Sequence, residues 1–153
     1  MDNMGPRGAN LQQGELVTLF TAGARTVGAN VAGTAFDLRG ERRRLSIVQN
    51  ITASATDAGD TLDVYVDWSL DNATWYNAVH FTQKAGNTAA IIEFATLDPT
   101  TPGATVTDVT ADAASGVVRP AVFGRYLRGR YTVVEAAGAG AASHTFSLLA
   151  YLQ

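Results

Sequence analysis

The sequence contains no cysteine, so disulfide frameworks and thiolate metal sites are excluded. Charge is also sparse, since only 16% of the 153 residues are Asp, Glu, Lys or Arg. No apolar run reaches the roughly eighteen residues of a membrane-spanning helix, and the first residues lack the basic-then-apolar pattern of a secretory signal. We therefore expect no membrane span and no such signal. The hydrophobic content of 46% suits a single globular domain with a weakly charged surface.

The chain is slightly acidic, with a formal net charge of −3 and an isoelectric point near 5.2. Lys84 is the only lysine among eleven basic residues. Nucleic-acid binders are usually strongly basic, so this balance argues against a nucleic-acid partner.

The clearest pattern is the alternation of apolar and polar residues over positions 62–70. Successive side chains of a β-strand point to opposite faces, so this alternation predicts a strand with one buried face. The residues predicted to line the core are Leu62, Val64, Val66, Trp68 and Leu70. The intervening Asp63, Tyr65 and Asp67 are predicted to face solvent or a neighbouring protein.

Other β segments, separated by turn residues, occupy positions 16–20, 45–52, 75–81, 89–95, 126–134 and 145–152. Residues 75–81 follow the turn Asp71-Asn72-Ala73 and should return as a hairpin partner. Together the segments predict an all-β fold, either an antiparallel β-sandwich or a jelly-roll-like barrel. Residues 1–15 lack periodicity and are predicted to form an extended arm, leaving 16–153 as the single β domain. The long connection 98–120 is of a length that is commonly functional.

The sequence offers little catalytic chemistry, and we expect no enzyme and no cofactor. His80 and His144 each lie near a strand end, with no nucleophile motif to accompany them. Asp63 and Asp67 would lie about 13 Å apart along a strand, too far for a glycosidase pair. The acidic series is interpreted as a solvated strand face, with a calcium site near Asp57 and Asp60 as the lesser alternative. Its members are Asp57, Asp60, Asp63, Asp67 and Asp71.

Two arginine clusters are the densest charged features. Arg42, Arg43 and Arg44 follow Glu41, and Arg125, Arg128 and Arg130 form the second group. On an acidic chain without interleaved aromatic residues, contact with acidic patches of a protein partner is favoured over phosphate binding, and a plain solvated surface is favoured over both. The residues predicted to contact a partner are Arg7, Leu11, Arg42, Arg43, Arg44, Arg128 and Arg130.

Two segments resemble small virion structural proteins of tailed bacteriophages. In residues 61–75 a strand ends in Ser69-Leu70-Asp71 before a turn and Trp75, and residues 79–83 follow. Residues 123–133, with 145–148, resemble the closing hairpin of those proteins, written Y-L-R-x-x-Y-T-V and F-x-F. The departures are Gly129, between the two arginines, and an alanine-rich loop. The matches cover less than half of the chain.

The resemblance implies a capsid decoration (cement) protein, made in the host cytoplasm and bound to the capsid exterior in the virion. Its implied partners are the major capsid protein and further copies of itself, in a homotrimer. A head–tail connector or tail protein is the main alternative. A carbohydrate-binding β-sandwich using Trp68, Trp75 and Tyr76 is a second alternative, weakened because Trp68 is expected in the core and the other two on opposite faces.

Overall fold

The computed structural model describes residues 14–39, 44–55, 57–100, 106–120, 123–136 and 141–153. Every regular element within these ranges is a β-strand. The strands are β1 (Glu15–Thr26), β2 (Gly28–Ala32), β3 (Phe36–Asp37), β4 (Leu45–Ala53), β5 (Thr61–Ser69), β6 (Trp75–His80), β7 (Lys84–Ala85), β8 (Ile91–Leu97), β9 (Val117–Val118), β10 (Tyr126–Val134) and β11 (Ser143–Leu152).

The strands form two antiparallel sheets that pack as a sandwich, which confirms the predicted fold class. The four-stranded sheet has the order β1-β11-β4-β8. The seven-stranded sheet has the order β2-β10-β5-β6-β9, with β3 added beside β10 and β7 beside β5. No helix long and apolar enough to cross a membrane is found in the part of the chain that the structure describes.

The core lies between the sheets and is built mainly from the inward side chains of β4, β5, β10 and β11. Leu62, Val64, Val66 and Trp68 are all buried, which confirms four of the five core residues predicted on this strand. Trp68 is stacked on Phe123, with the ring centroids 4.5 Å apart. The alternation therefore gave the correct inward face of β5.

Leu70 was predicted to be buried, and this is wrong because its side chain is 68% exposed. β5 ends at Ser69, so Leu70 belongs to the turn that leads into β6. Asp71 organises that turn by accepting hydrogen bonds from the backbone N–H groups of Ala73 and Thr74. The turn begins one residue before the alternation ends, so the outward direction of Leu70 is set by turn chemistry.

Asp63, Tyr65 and Asp67 were predicted to face solvent or a neighbour, and the structure corrects this too. They do point away from the core, but all three are buried. Side chains of neighbouring strands, among them His80 and Arg130, pack around them, and the segment 106–119 bonds to these two side chains from above. Asp60 is buried as well, so the interpretation of the acidic series as a solvated face is wrong for these carboxylates.

The hairpin implied by the resemblance is not formed by β10 and β11. β10 pairs with β5 in the larger sheet, whereas β11 pairs with β1 and β4 in the smaller one. Gly129 on β10 lies where the larger sheet packs against the smaller one, and a Cβ there would lie 2.7 Å from the ring of Phe20. A side chain at this position would force the two sheets apart, which is a physical reason for the glycine between Arg128 and Arg130.

The first strand starts at Glu15, the last residue that was assigned to the arm. Gly14 already packs against the ring of Tyr151 on β11. The rest of the predicted arm, residues 1–13, lies outside the described residues.

Candidate functional site

Two surfaces of the sandwich carry the residues of interest. The outer face of the seven-stranded sheet bears a buried polar network, which we call the charged layer: Asp63, Tyr65, Asp67, Asn77, His80 and Arg130. The outer face of the four-stranded sheet bears an exposed apolar surface without charge.

Arg130 and Asp67 form the centre of the charged layer. Nε of Arg130 donates to Oδ2 of Asp67 at 2.8 Å, and its Nη2 lies 3.2 Å from Oδ1. The same guanidinium also bonds to Asp112 at 2.7 Å and to Asn30 at 2.7 Å. Both central side chains are more than nine-tenths buried. Because each donor and acceptor has a partner, this ion pair is satisfied without water or ligand.

Asp63 and His80 form the second part of the layer. Nε2 of His80 lies 2.8 Å from Oδ1 of Asp63, and Nδ1 lies 2.8 Å from the carbonyl oxygen of Ala113. The ring of Tyr65 is stacked between His80, at 4.2 Å, and the guanidinium of Arg130, at 4.0 Å. Both ring nitrogens of His80 are thus occupied within the protein, so neither is available to take a proton from a substrate.

The charged layer fixes the segment 106–119 onto the sheet. Oδ1 of Asn77 accepts a hydrogen bond from the N–H of Ala113 at 2.9 Å. Arg119 donates to the carbonyl oxygens of Asn77 and Ala111. The hydroxyl of Ser115 accepts from the N–H of Gln83 at 2.7 Å. The long connection is therefore held by side chains of β6 and β10, and this part of it is a structural cover for the sheet.

The surroundings shift two ionisation equilibria in this layer. Burial, with the nearby carboxylate of Asp63 as the next cause, raises the pKa of Tyr65 to about 12. Burial alone would lower the pKa of Arg130, but the hydrogen bonds to Asp67 and Asp112 outweigh it and the pKa rises. Both groups consequently keep their ordinary protonation states at neutral pH, which suits a permanent structural network.

His144 has a different environment, because its side chain is completely buried on the inner face of β11 and neither ring nitrogen has a hydrogen-bond partner among the described residues. Burial lowers its pKa from 6.5, and the nearby Asp60 opposes this shift only in part. A histidine without access to solvent is not placed to act on a substrate.

The lowered pKa of His144 predicts acid sensitivity of the fold. Below about pH 6.5 the unfolded chain binds a proton that the folded protein resists, so stability is lost as the pH falls from that value toward the lowered pKa. We expect His144→Gln to flatten the pH dependence of the free energy of unfolding between about pH 7 and about pH 5. Denaturant titrations of both proteins test this, and equal slopes would contradict it.

The second surface is the outer face of the four-stranded sheet, which we call the apolar face. Strand register aligns Leu149 with Val48 and Thr18, and Val48 with Phe94, so this row has apolar side chains on β11, β4 and β8 and a threonine on β1. Leu16, Ile92 and Phe94 are each more than 60% exposed, and Tyr151 is 42% exposed. The outward positions in register on the four strands are Leu16, Thr18, Ala24, Thr26, Ser46, Val48, Asn50, Ile92, Phe94, Thr96, Ser143, Thr145, Ser147, Leu149 and Tyr151.

None of those fifteen positions carries a charge. A sheet face that normally meets water alternates with polar and charged side chains, and large contiguous apolar patches mark interaction surfaces. Eight of the fifteen side chains are Ser, Thr or Asn and seven are apolar. The face is therefore distinguished by its lack of charge and by four large exposed apolar side chains, Leu16, Ile92, Phe94 and Tyr151. Sequence reasoning missed it because these residues lie on four strands that are distant in the chain.

The predicted partner residues do not come together at one site. Arg7, Leu11, Arg42 and Arg43 lie outside the described residues, and Arg44 is exposed just before β4. Arg130 is buried in the charged layer, so it is not available to a partner in this structure. Arg128 is half-buried, and its guanidinium lies 4.0 Å from the centre of the Trp75 ring. The expectation that Arg130 binds a partner is thus corrected.

The aromatic residues weighed for sugar binding are also separated. Trp68 is a core residue, and Tyr76 pairs with it on the same inward side of the sheet. Trp75 borders an open cavity of about 380 Å³ above the charged layer, but Arg128 covers one face of its ring. These three side chains do not form a common platform. No group of three or more potential metal ligands occurs in the described ranges, and Asp60 instead accepts a hydrogen bond from the N–H of Ala136 at 2.9 Å.

Comparisons with known proteins find structural but not sequence similarity. No protein-family model matches the chain, and no match was found among curated proteins. The chain is similar to the crystal structure of the infectious bursal disease virus VP2 subviral particle, with a TM-score of 0.51 and 11% identity, covering 92% of this chain and 32% of that one. The structure of infectious bursal virus derived T=1 particles gives a TM-score of 0.47 at 8% identity, covering 92% and 31%. The chain thus spans about a third of the length of these viral proteins, and the first likeness shows a shared fold.

Proposed function

We propose that this protein is a virion structural protein, and specifically a capsid decoration protein that binds the exterior of the shell. The observation that carries the proposal is the apolar face, an uncharged and exposed sheet surface. The fold shared with a protein of a viral particle supports the same class, as does the resemblance to phage virion proteins. The partner in this proposal is the major capsid protein, and the protein would be made in the host cytoplasm before it joins the virion.

The rest of the structure fits a protein that works by binding. His80 is bonded within the protein and His144 is buried in the core, and Asn77, His80 and Arg130 of the charged layer hold the segment 106–119. A rigid body of this kind presents its sheet face without rearrangement, and a preformed surface loses little conformational entropy on binding. In this proposal the apolar face meets the shell and residues 1–13 act as an arm that contacts a neighbouring subunit.

Charge placed on the apolar face tests the docking role. The double variant Leu16→Glu/Ile92→Glu changes two residues that are more than 60% exposed, so the fold should tolerate it. If the face is buried against the shell, two unpaired carboxylates should weaken binding at least about tenfold, because burying an unpaired charge costs well over 1.4 kcal/mol. Co-sedimentation with purified capsids measures this effect.

A matched control introduces two glutamates at exposed positions outside the apolar face. Val106 and Leu70 are also highly exposed but lie in loops away from the four-stranded sheet. Val106→Glu/Leu70→Glu adds the same charge and should leave co-sedimentation unchanged. Equal binding of the test variant, or equal loss in the control, would overturn the docking role of the face.

We further propose that the protein decorates the shell as a homotrimer, which is a closed arrangement suited to threefold positions. The alternative is a head–tail or tail protein, for which rings of larger number are expected. The mass of the assembled protein in solution separates the two.

A further inference from the structure

A groove runs along the side of the sandwich where the edges of the two sheets approach each other. It has a volume of about 200 Å³ and lies between β8 and β9. Val79, Phe81, Phe94, Ala95 and Val118 form its apolar wall. Of the residues of the charged layer, only His80 also lines this groove.

β8 is the last strand of the four-stranded sheet, so one side of its backbone has no neighbouring strand among the described residues. Soluble proteins usually protect such edges with charge or proline. Here the edge carries Ile91, Ile92 and Phe94, all exposed. The one charged residue, Glu93, is turned back to accept a hydrogen bond from the N–H of Thr82 at 3.0 Å. In the described part of the chain, β8 therefore has a free backbone edge with which a further strand can pair, and this edge carries exposed apolar side chains.

The lining and size of the groove restrict what can bind in it. A strand paired with β8 would lie about 4.8 Å from it, and its alternate side chains would point toward the groove. β9 bounds the far side through Val118, and a volume of about 200 Å³ has room for an apolar side chain but not for the edge of a second folded domain. The occupant is therefore an extended, mostly uncharged segment with an apolar side chain.

We propose that the groove binds the N-terminal segment, residues 1–13, of a second copy of this chain, with Leu11 entering the apolar wall. The inference rests on the arm role proposed above and gives that arm its binding site. The segment has only two charged side chains, Asp2 and Arg7, and Leu11 is its single large aliphatic residue apart from two methionines. Extended, thirteen residues reach about 45 Å, enough to cross to a neighbouring subunit.

The short reach of the segment favours Leu11 of another copy as the occupant. The body begins at Gly14 next to β1, and β1 and β8 are opposite edges of the same sheet. Three strand spacings separate these edges, or about 14 Å. Leu11 is three residues before Gly14 and reaches about 10 Å from it. An arm that passes from each subunit to the next is a heterologous contact, which forms a ring when the rotation between successive subunits closes.

The absence of cysteine allows a direct test by disulfide trapping in the full-length chain. The variant Leu11→Cys/Val118→Cys places one thiol on the arm and one in the groove wall. The control Leu11→Cys/Val31→Cys places the second thiol on β2, at the other edge of the larger sheet, where Val31 is exposed to the same 36% as Val118. Both variants are oxidised under the same mild conditions and separated by non-reducing electrophoresis.

We expect at least about tenfold more intermolecular disulfide in the Val118 pair than in the control, because a bound arm raises the effective concentration of the two thiols. A ladder of bands that ends at the trimer supports both the inference and the decoration role. A longer ladder supports the arm exchange but overturns the trimer in favour of a larger ring. Equal cross-linking in both variants, or an intramolecular bond only, overturns the inference and leaves the capsid proposal to the co-sedimentation test.

Discussion

Replacing Trp68 with alanine is expected to destabilise the folded protein by about 3–5 kcal/mol, the range for deleting a large buried aromatic side chain. Trp68 is 1% exposed and belongs to the core between the two sheets. Its removal would leave a cavity beside Phe123, with which it is stacked at 4.5 Å. The rigid β-sandwich cannot close such a cavity without moving strands that are paired on both sides.

Denaturant unfolding monitored by far-ultraviolet circular dichroism measures this loss. Leu70→Ala is the matched control, because Leu70 is two residues further along the chain and 68% exposed. An exposed substitution should change the free energy of unfolding by no more than about 0.5 kcal/mol. Similar losses in the two variants would contradict the assignment of Trp68 to the core.

The second large effect is expected in the charged layer. Arg130→Met removes the partner of the buried Asp67 carboxylate and should cost about 3–5 kcal/mol, because an uncompensated buried charge remains. Arg128 lies 3.4 Å from the same carboxylate and offers only a weak replacement. The segment 106–119 should also loosen, since Asp112 loses its bond to Arg130.

A double-mutant cycle identifies the cause. Asp67→Leu combined with Arg130→Met removes both charges, so its cost should be clearly smaller than the sum of the two single costs. Arg125→Met is the control, since it breaks the exposed ion pair with Asp37 and should have little effect. Hydrogen exchange of the amides of residues 106–119 reports the loosening of the segment. Additive single costs would show that the two side chains do not act as a pair.

The two faces of β5 contribute to the stability of the protein in different ways. The inward face stabilises the sandwich through apolar burial, and the outward face fixes a long connection through charge. Both faces of β5 are covered within the protein, whereas the outer face of the four-stranded sheet is exposed. There the register of β1, β11, β4 and β8 brings together an uncharged surface that no internal element covers among the described residues.

The sequence by itself determined the all-β class, the positions of the long strands and the inward face of β5. These features depend on local alternation, because the side chains of a strand point to opposite faces with a period of two. Leu62, Val64, Val66 and Trp68 were identified in this way. The local pattern does not show where a turn takes over, so Leu70 was assigned to the wrong face.

Only the tertiary structure decided what covers the outward faces. Asp67 and Arg130 are 63 residues apart in the chain, and Asn77 and Ala113 are 36 apart, so no local pattern reports their contact. The predicted solvent exposure of Asp63 and Asp67 was wrong because burial depends on a connection folded back from elsewhere in the chain. The apolar face arises in the same way, since side chains that are isolated in the sequence become neighbours only when four distant strands pair.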